Sequence, residues 1–197
     1  MPLPRPDVAR RAILLAVLAV ICAALAGCGA SSGEASRFGS IEDVKPDLTG
    51  ADPRLVKIYD EAGQLLGGGR AAYDARIASL QGLPIVVNKW GSWCGPCRNE
   101  FPIFQRLAKE MGGKIAFLGV NILDGRDDTT KFLEQLPVPF PSYVDQKLEI
   151  SKLIRPVQGA PSTAFYTREG VLTKVKIGEY RSIDALRRDI NTQALQQ

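Results

Sequence analysis

The stretch VVNKWGSWCGPCRNEFP, residues 86–102, decides how the chain is read. At its middle, Trp93-Cys94-Gly95-Pro96-Cys97 sets two thiols three residues apart. Ahead of them, Leu83 to Trp90 is a short apolar run rich in β-branched residues, the pattern of a strand buried on both faces. Pro84 stands at its start, where a missing N–H is tolerated. Behind them, Phe101, Phe104, Leu107 and Met111 recur at helical spacing until Gly112-Gly113 ends the run. Lys114 to Asn121 reads as a second buried strand. Strand, helix and strand in succession predict a right-handed βαβ unit, with the cysteine pair at the turn from first strand to helix.

A cysteine pair of this spacing can hold a metal, staple the chain or switch redox state. A zinc site needs four ligands, and the chain offers no second pair and no histidine. A staple across three residues closes too small a loop to restrict the unfolded chain much. The redox use explains the spacing: residues i and i+3 on a helix lie about 5–6 Å apart at Cβ, close enough to join and to open again. The first cysteine falls at a helix N-terminus, where unpaired N–H groups and the macrodipole favour a thiolate, the nucleophilic form. Cys97, one turn in, is suited to resolving a mixed disulfide.

The rest of the composition narrows the function. The absence of histidine excludes Ser-His-Asp and Cys-His catalysis and histidine-ligated metals or haem. The 25 basic and 21 acidic residues give +4 with no basic run, so nothing points to nucleic acid. The first 27 residues differ from the remainder. Arg5, Arg10 and Arg11 precede an apolar run, Ala12 to Ala26, too short to span a bilayer and fitting a secretory leader. Leu25-Ala26-Gly27-Cys28 then resembles a bacterial lipobox, which makes Cys28 the expected lipidation site. The alternatives are an ordinary signal peptide or an uncleaved anchor, and each places the domain outside the cytoplasm. From Gly29 to Ser40, nine of twelve residues are Gly, Ala or Ser, a composition that tethers rather than packs. The expected organisation is therefore a leader over 1–27, a tether over 28–50 and a domain over 51–197.

Within that domain, Asp52-Pro53 predicts a helix start and Gly67-Gly68-Gly69 its end after Leu66. Ala71 to Leu80 leans to helix. Asp127 to Leu136 reads as a helix, Pro137 to Pro141 as an extended edge and Asp145 to Ile154 as a short helix. Ser162 to Thr167 and Val171 to Ile177 flank Arg168-Glu169-Gly170, a hairpin signal, and Ser182 caps a last helix carrying Ile183, Leu186 and Ile190.

Residues 86–102 resemble the active-site region of the thioredoxin superfamily, above all its extracytoplasmic TlpA/ResA-like branch. Pro102 matches that family's helix proline, and Val157-Gln158-Gly159-Ala160-Pro161-Ser162-Thr163 is similar to its second motif. The resemblance covers roughly residues 83–190. It implies an α/β thioredoxin fold, a central mixed sheet flanked by helices, with an N-terminal helical extension and a βαβ insert over Asp124 to Arg155. It also implies that Pro161 is cis and faces the cysteines, and that the backbone of Ala160 pairs with a client chain. Trp93, Gly95 and Pro96 then border the client. Glu100 is, by itself, a solvated acid of the first helical turn; by resemblance it handles the proton of the pair, the more so since Asn88 stands where cytoplasmic members keep an aspartate. Lys89 replaces the family's usual aromatic residue, either reaching the surface or adding positive potential near Cys94. Trp90 is expected in the core and Arg98 at the surface.

The function implied is a membrane-tethered thiol-disulfide oxidoreductase with Cys94 as nucleophile and Cys97 as resolving thiol, needing no cofactor or metal beyond the pair. Its implied partners are extracytoplasmic protein disulfides, apocytochromes c among them, a membrane electron donor of the CcdA or DsbD type, and the lipid membrane through Cys28. The Gly-Pro dipeptide leans towards a reductant. Competing readings are an oxidase that donates disulfides to secreted proteins and a copper-carrying lipoprotein using the thiols as soft ligands.

Overall fold

The computed structural model describes residues 39–155 and 159–196. The leader, the lipobox with Cys28 and the first part of the tether lie outside the described residues, as do Val157 and Gln158. Among the described residues no helix is long and apolar enough to cross a membrane.

Among the described residues the first elements are a single-turn helix α1 (Ile41–Val44), then α2 (Pro53–Asp60), a short strand β1 (Leu65–Leu66) and α3 (Gly69–Ser79). The βαβ unit follows as β2 (Ile85–Trp90), α4 (Gly95–Met111) and β3 (Ala116–Ile122). Helix α5 (Arg126–Gln135) and β4 (Ser142–Asp145) form the insert, and β5 (Ser162–Tyr166), β6 (Leu172–Ile177) and α6 (Ile183–Asp189) complete the chain, the last running into a π-helical turn, Ile190–Ala194. Six strands form one mixed sheet in the order β1-β4-β3-β2-β5-β6. The pairs β2–β3, β3–β4 and β1–β4 are parallel, while β5 joins β2 and β6 antiparallel. This is the mixed α/β thioredoxin-type sheet expected from the sequence, with two consecutive βαβ units, the second built from the insert.

Strands β2 and β3 are buried at every position, as their continuous apolar runs require. Trp90 on β2, Phe101 on α4 and Phe132 on α5 form an aromatic triad with ring centroids 4.8–5.1 Å apart. Each such contact contributes about 0.5–1.5 kcal/mol beyond area burial. The triad fixes the start of α4 against the sheet, and so fixes the cysteine motif.

Four expectations are corrected. The tether ends earlier than Gly50: Ser40 and Asp43 form a capping box, Val44 is fully buried and Lys109 Nζ donates to Asp43 O, so α1 is docked on α4. Helix α2 stops at Asp60 rather than Leu66, because Gly63 turns the chain at φ +69° and frees Leu65-Leu66 to pair with Ser142-Tyr143. Pro137 to Pro141 is no edge strand; the strand starts at Ser142 and lies inside the sheet, between β1 and β3. Asp145 to Ile154 forms turns instead of a helix. The Asp145 carboxylate accepts from Ile150 N, Ser151 N and Ser151 Oγ, and Leu148 sits at φ +57°.

Candidate active site

Cys94 is the N-cap of α4, with extended backbone, and its Sγ accepts from Cys97 N at 3.1 Å. The helix starts here because Pro96 presets the first turn and Cys94 offers it a side-chain acceptor. Cys94 and Cys97 are joined by a disulfide, with Cα atoms 5.3 Å apart. Cys97 is fully buried and Cys94 only 3% exposed, while Gly95 and Pro96 between them are exposed. A visiting chain therefore meets the edge of Cys94 before it can reach Cys97.

The loop leading into the pair is held by a residue that sequence reasoning missed. Asp124, just past β3, accepts from Ser92 N at 2.5 Å, Ser92 Oγ at 2.6 Å and Asn121 Nδ2 at 2.8 Å. The available signal was position: polar residues just beyond the carboxyl end of a central parallel strand lie where open α/β sheets build their sites. Trp93 is 52% exposed, yet its Nε1 donates to Ile122 O at 3.2 Å. Gly91 makes that pose possible, since a Cβ there would lie 2.6 Å from the indole nitrogen. A pocket of about 330 Å³ opens beside this loop, lined by Ser92, Trp93, Arg98, Asp128, Phe132 and Gln135. Arg98 is exposed as expected, stacked 4.7 Å from the Phe132 ring centroid.

Glu100 is not a solvated acid: it is fully buried. Its Oε1 accepts from Asn88 Nδ2 at 2.7 Å and its Oε2 from Tyr180 N at 2.9 Å. Burial pushes its pKa up to about 7, against the pull of those two hydrogen bonds and of Lys176. A carboxyl so poised, one helical turn beyond Cys97, can take and return a proton near neutral pH. Tyr180 and Lys176, both far along the chain, gave no signal in the sequence.

Lys89 does not reach the surface. It is fully buried, Nζ donates to Ile154 O at 2.9 Å, and burial lowers its pKa to about 8 despite the opposing influence of Asp145. Trp90 is in the core, as expected, and donates through Nε1 to Ser142 Oγ. The Ala160–Pro161 bond is cis. Ser162 pairs with Lys89, so Pro161 lies at the end of the sheet where β2 finishes and α4 begins. Ala160 is half-buried and Pro161 buried. Ala160 and Pro161 of the second motif and the cysteine pair are thus brought to one end of the sheet.

Residues 67–175 match the model of the AhpC/TSA family. Among curated proteins, the chain is 32% identical over 101 residues to the thiol:disulfide interchange protein DsbE of Pseudomonas aeruginosa, covering 51% of this chain and 54% of that one. It is 26% identical to the thiol-disulfide oxidoreductase ResA of Oceanobacillus iheyensis across 95% of this chain and 89% of that protein. The chain thus spans about half the length of the DsbE relatives it matches. Among solved structures, MTB DsbF in mixed oxidized and reduced forms superposes with a TM-score of 0.53 at 29% identity, covering 58% of this chain and 83% of that one.

Proposed function

The chain belongs to the AhpC/TSA family, and from that premise we propose that it is a membrane-tethered thiol-disulfide oxidoreductase acting outside the cytoplasmic membrane. The observation that carries this reading is the Cys94–Cys97 pair at the start of α4 with the buried Glu100 carboxyl one turn beyond it. Reduced, Cys94 is the nucleophile: its thiolate accepts the helix N–H groups and attacks a client disulfide. The client S–S bond breaks, a Cys94–client bond forms, and one client thiolate leaves. Cys97 then gives its proton to Glu100 and attacks Cys94 Sγ, closing the internal disulfide and releasing the second client thiolate. Two electrons pass to the client, which takes up two protons.

Trp93, Gly95, Pro96, Ala160 and Pro161 form the client-facing rim in this reading. An exposed but pinned tryptophan beside an arginine is the composition of a binding hot spot. The clients are extracytoplasmic protein disulfides, apocytochromes c among them. A membrane donor of the CcdA or DsbD type returns the pair to the dithiol, which needs no further cofactor, and Cys28 carries the lipid anchor.

The test is a trap. The full chain with Cys97→Ser should accumulate Cys94-linked mixed disulfides with extracytoplasmic proteins, lost again when Cys94 is also replaced. If no adduct forms, the assigned roles fail. A redox titration fixes the direction: a potential near about −270 mV supports a reductant, and one near about −120 mV an oxidase. Cys28→Ala should move the protein out of the membrane fraction, and continued retention would overturn the lipid anchor.

A further inference from the structure

Glu100 takes its proton inside the core, so that proton needs a way back to solvent. The register of the sheet supplies one. Asn88 on β2 stands opposite Thr163 on β5, and Thr163 stands opposite Lys176 on β6. Directly paired residues of neighbouring strands project to the same face. Asn88, Thr163 and Lys176 therefore make one row, on the face that carries Glu100, since Asn88 Nδ2 donates to Glu100 Oε1. The row starts in the interior, with Asn88 at 1% and Thr163 at 0% exposure, and ends at the half-buried Lys176 on the edge strand. Two of its atoms, Asn88 Oδ1 and Thr163 Oγ1, are buried with no hydrogen-bond partner. Such atoms are uncommon, and two on directly paired residues mark a site for a bridging water.

We infer that the Asn88–Thr163–Lys176 row is a proton lane: it binds water between Asn88 Oδ1 and Thr163 Oγ1 and passes the proton of Glu100 to the edge strand β6. The inference rests on the role proposed for Glu100 and says how that residue is reset. For each client reduced, one proton moves from Cys97 to the carboxylate, and the lane delivers it to solvent, from which the departing client thiolates are reprotonated. No further oxidant or reductant enters.

Lys176 shapes the mouth of the lane. Its Nζ donates to Gly178 O and Glu179 O and lies 4.5 Å from the Tyr180 ring centroid. This holds the loop from which Tyr180 N donates to Glu100, while Tyr180 OH is tied to Asp189 on α6 at 2.5 Å. The charged and titratable groups around the carboxyl are thus Lys176, which favours its ionised form, Glu179, which opposes it, the Tyr180 phenol with Asp189, and Cys97 on its own helix.

The experiment measures the pH profile of insulin-disulfide reduction by the full chain, with dithiothreitol as electron source. The step that Glu100→Gln removes identifies the carboxyl. In Thr163→Val, which deletes the hydroxyl and keeps the shape, and in Lys176→Met, that step should move to higher pH by about half a unit or more, because the ionised carboxyl loses solvation or a cation. Lys176→Arg should keep the parental midpoint, and Thr163→Val should keep a cooperative thermal melt, which shows that its shifted step comes from a folded domain. If the step stays in place in both Thr163→Val and Lys176→Met, the lane is wrong while Glu100 keeps its role. If Glu100→Gln leaves the profile untouched, the role of Glu100 falls and takes the lane with it.

Discussion

At the scale of single residues, the exposed indole of Trp93 depends on a missing side chain two positions earlier. A Cβ on Gly91 would stand 2.6–3.1 Å from three atoms of that ring. Gly91→Ala must therefore push the indole out, breaking its hydrogen bond to Ile122 O. Trp93 is half exposed and can swing into solvent, so the domain should lose no more than about 1 kcal/mol. If the indole is a client anchor, KM for a protein disulfide should rise about threefold or more while kcat holds. Tryptophan fluorescence would report the displacement, and steady-state kinetics the effect; an unchanged KM with a displaced indole would remove Trp93 from the client surface.

At the scale of elements, the cysteine loop is clamped by the residue that opens the insert. Removing the Asp124 carboxylate strands Ser92 N and Asn121 Nδ2 in a nearly closed environment, where Asp124 itself is only 7% exposed. Asp124→Ala should destabilise the domain by about 2–4 kcal/mol, as loss of a charged hydrogen-bond partner does. It should also lower turnover about tenfold through misplacement of Cys94. Asp124→Asn, which keeps an acceptor, should fall between, by denaturant titration and by insulin reduction. The same clamp shows where sequence reading succeeds and stops. Strands β2 and β3 and helix α4 were legible because their apolar periods are undisturbed, and the Cys94–Cys97 spacing because it is local. Glu100, by contrast, read alone as a solvated acid and only the family resemblance gave it a role, since its burial depends on partners distant in the chain. Asp145 to Ile154 was misread because periodicity is blind to a carboxylate capturing three donors of its own turn. Asp124 carried only the signal of its place just beyond β3, and Lys176 and Tyr180 carried none, because the tertiary fold alone brings them to the site.

At the scale of the whole molecule, the sheet buries two opposite charges whose titrations pull stability in opposite directions. Glu100 has a folded pKa of about 7 against 4.5 for the free group. Between those values the folded state binds more protons than the unfolded chain, so this contribution falls as pH rises from about 4.5 to 7. Lys89 has a folded pKa of about 8 against 10.5, so the unfolded chain binds more protons there and its contribution rises above pH 8. At about 1.4 kcal/mol per unit, each limb is worth about 3 kcal/mol. Asp52, held at about 2 by its hydrogen bonds from Arg54, titrates below this window, and Tyr59, Tyr73, Tyr166 and Tyr180, all raised by burial, titrate beyond it. The oxidised domain should therefore show a stability minimum between about pH 7 and 8, when Glu100 and Lys89 are both charged inside the sheet. Denaturant titrations from pH 5 to about 9.5 check this. Glu100→Gln should flatten the acid limb and leave the alkaline one, and Lys89→Met should do the reverse. A curve without a minimum, or one that neither substitution reshapes, would mean that these groups reach water or neutralise each other and would remove the physical basis for a proton-carrying carboxyl in the core.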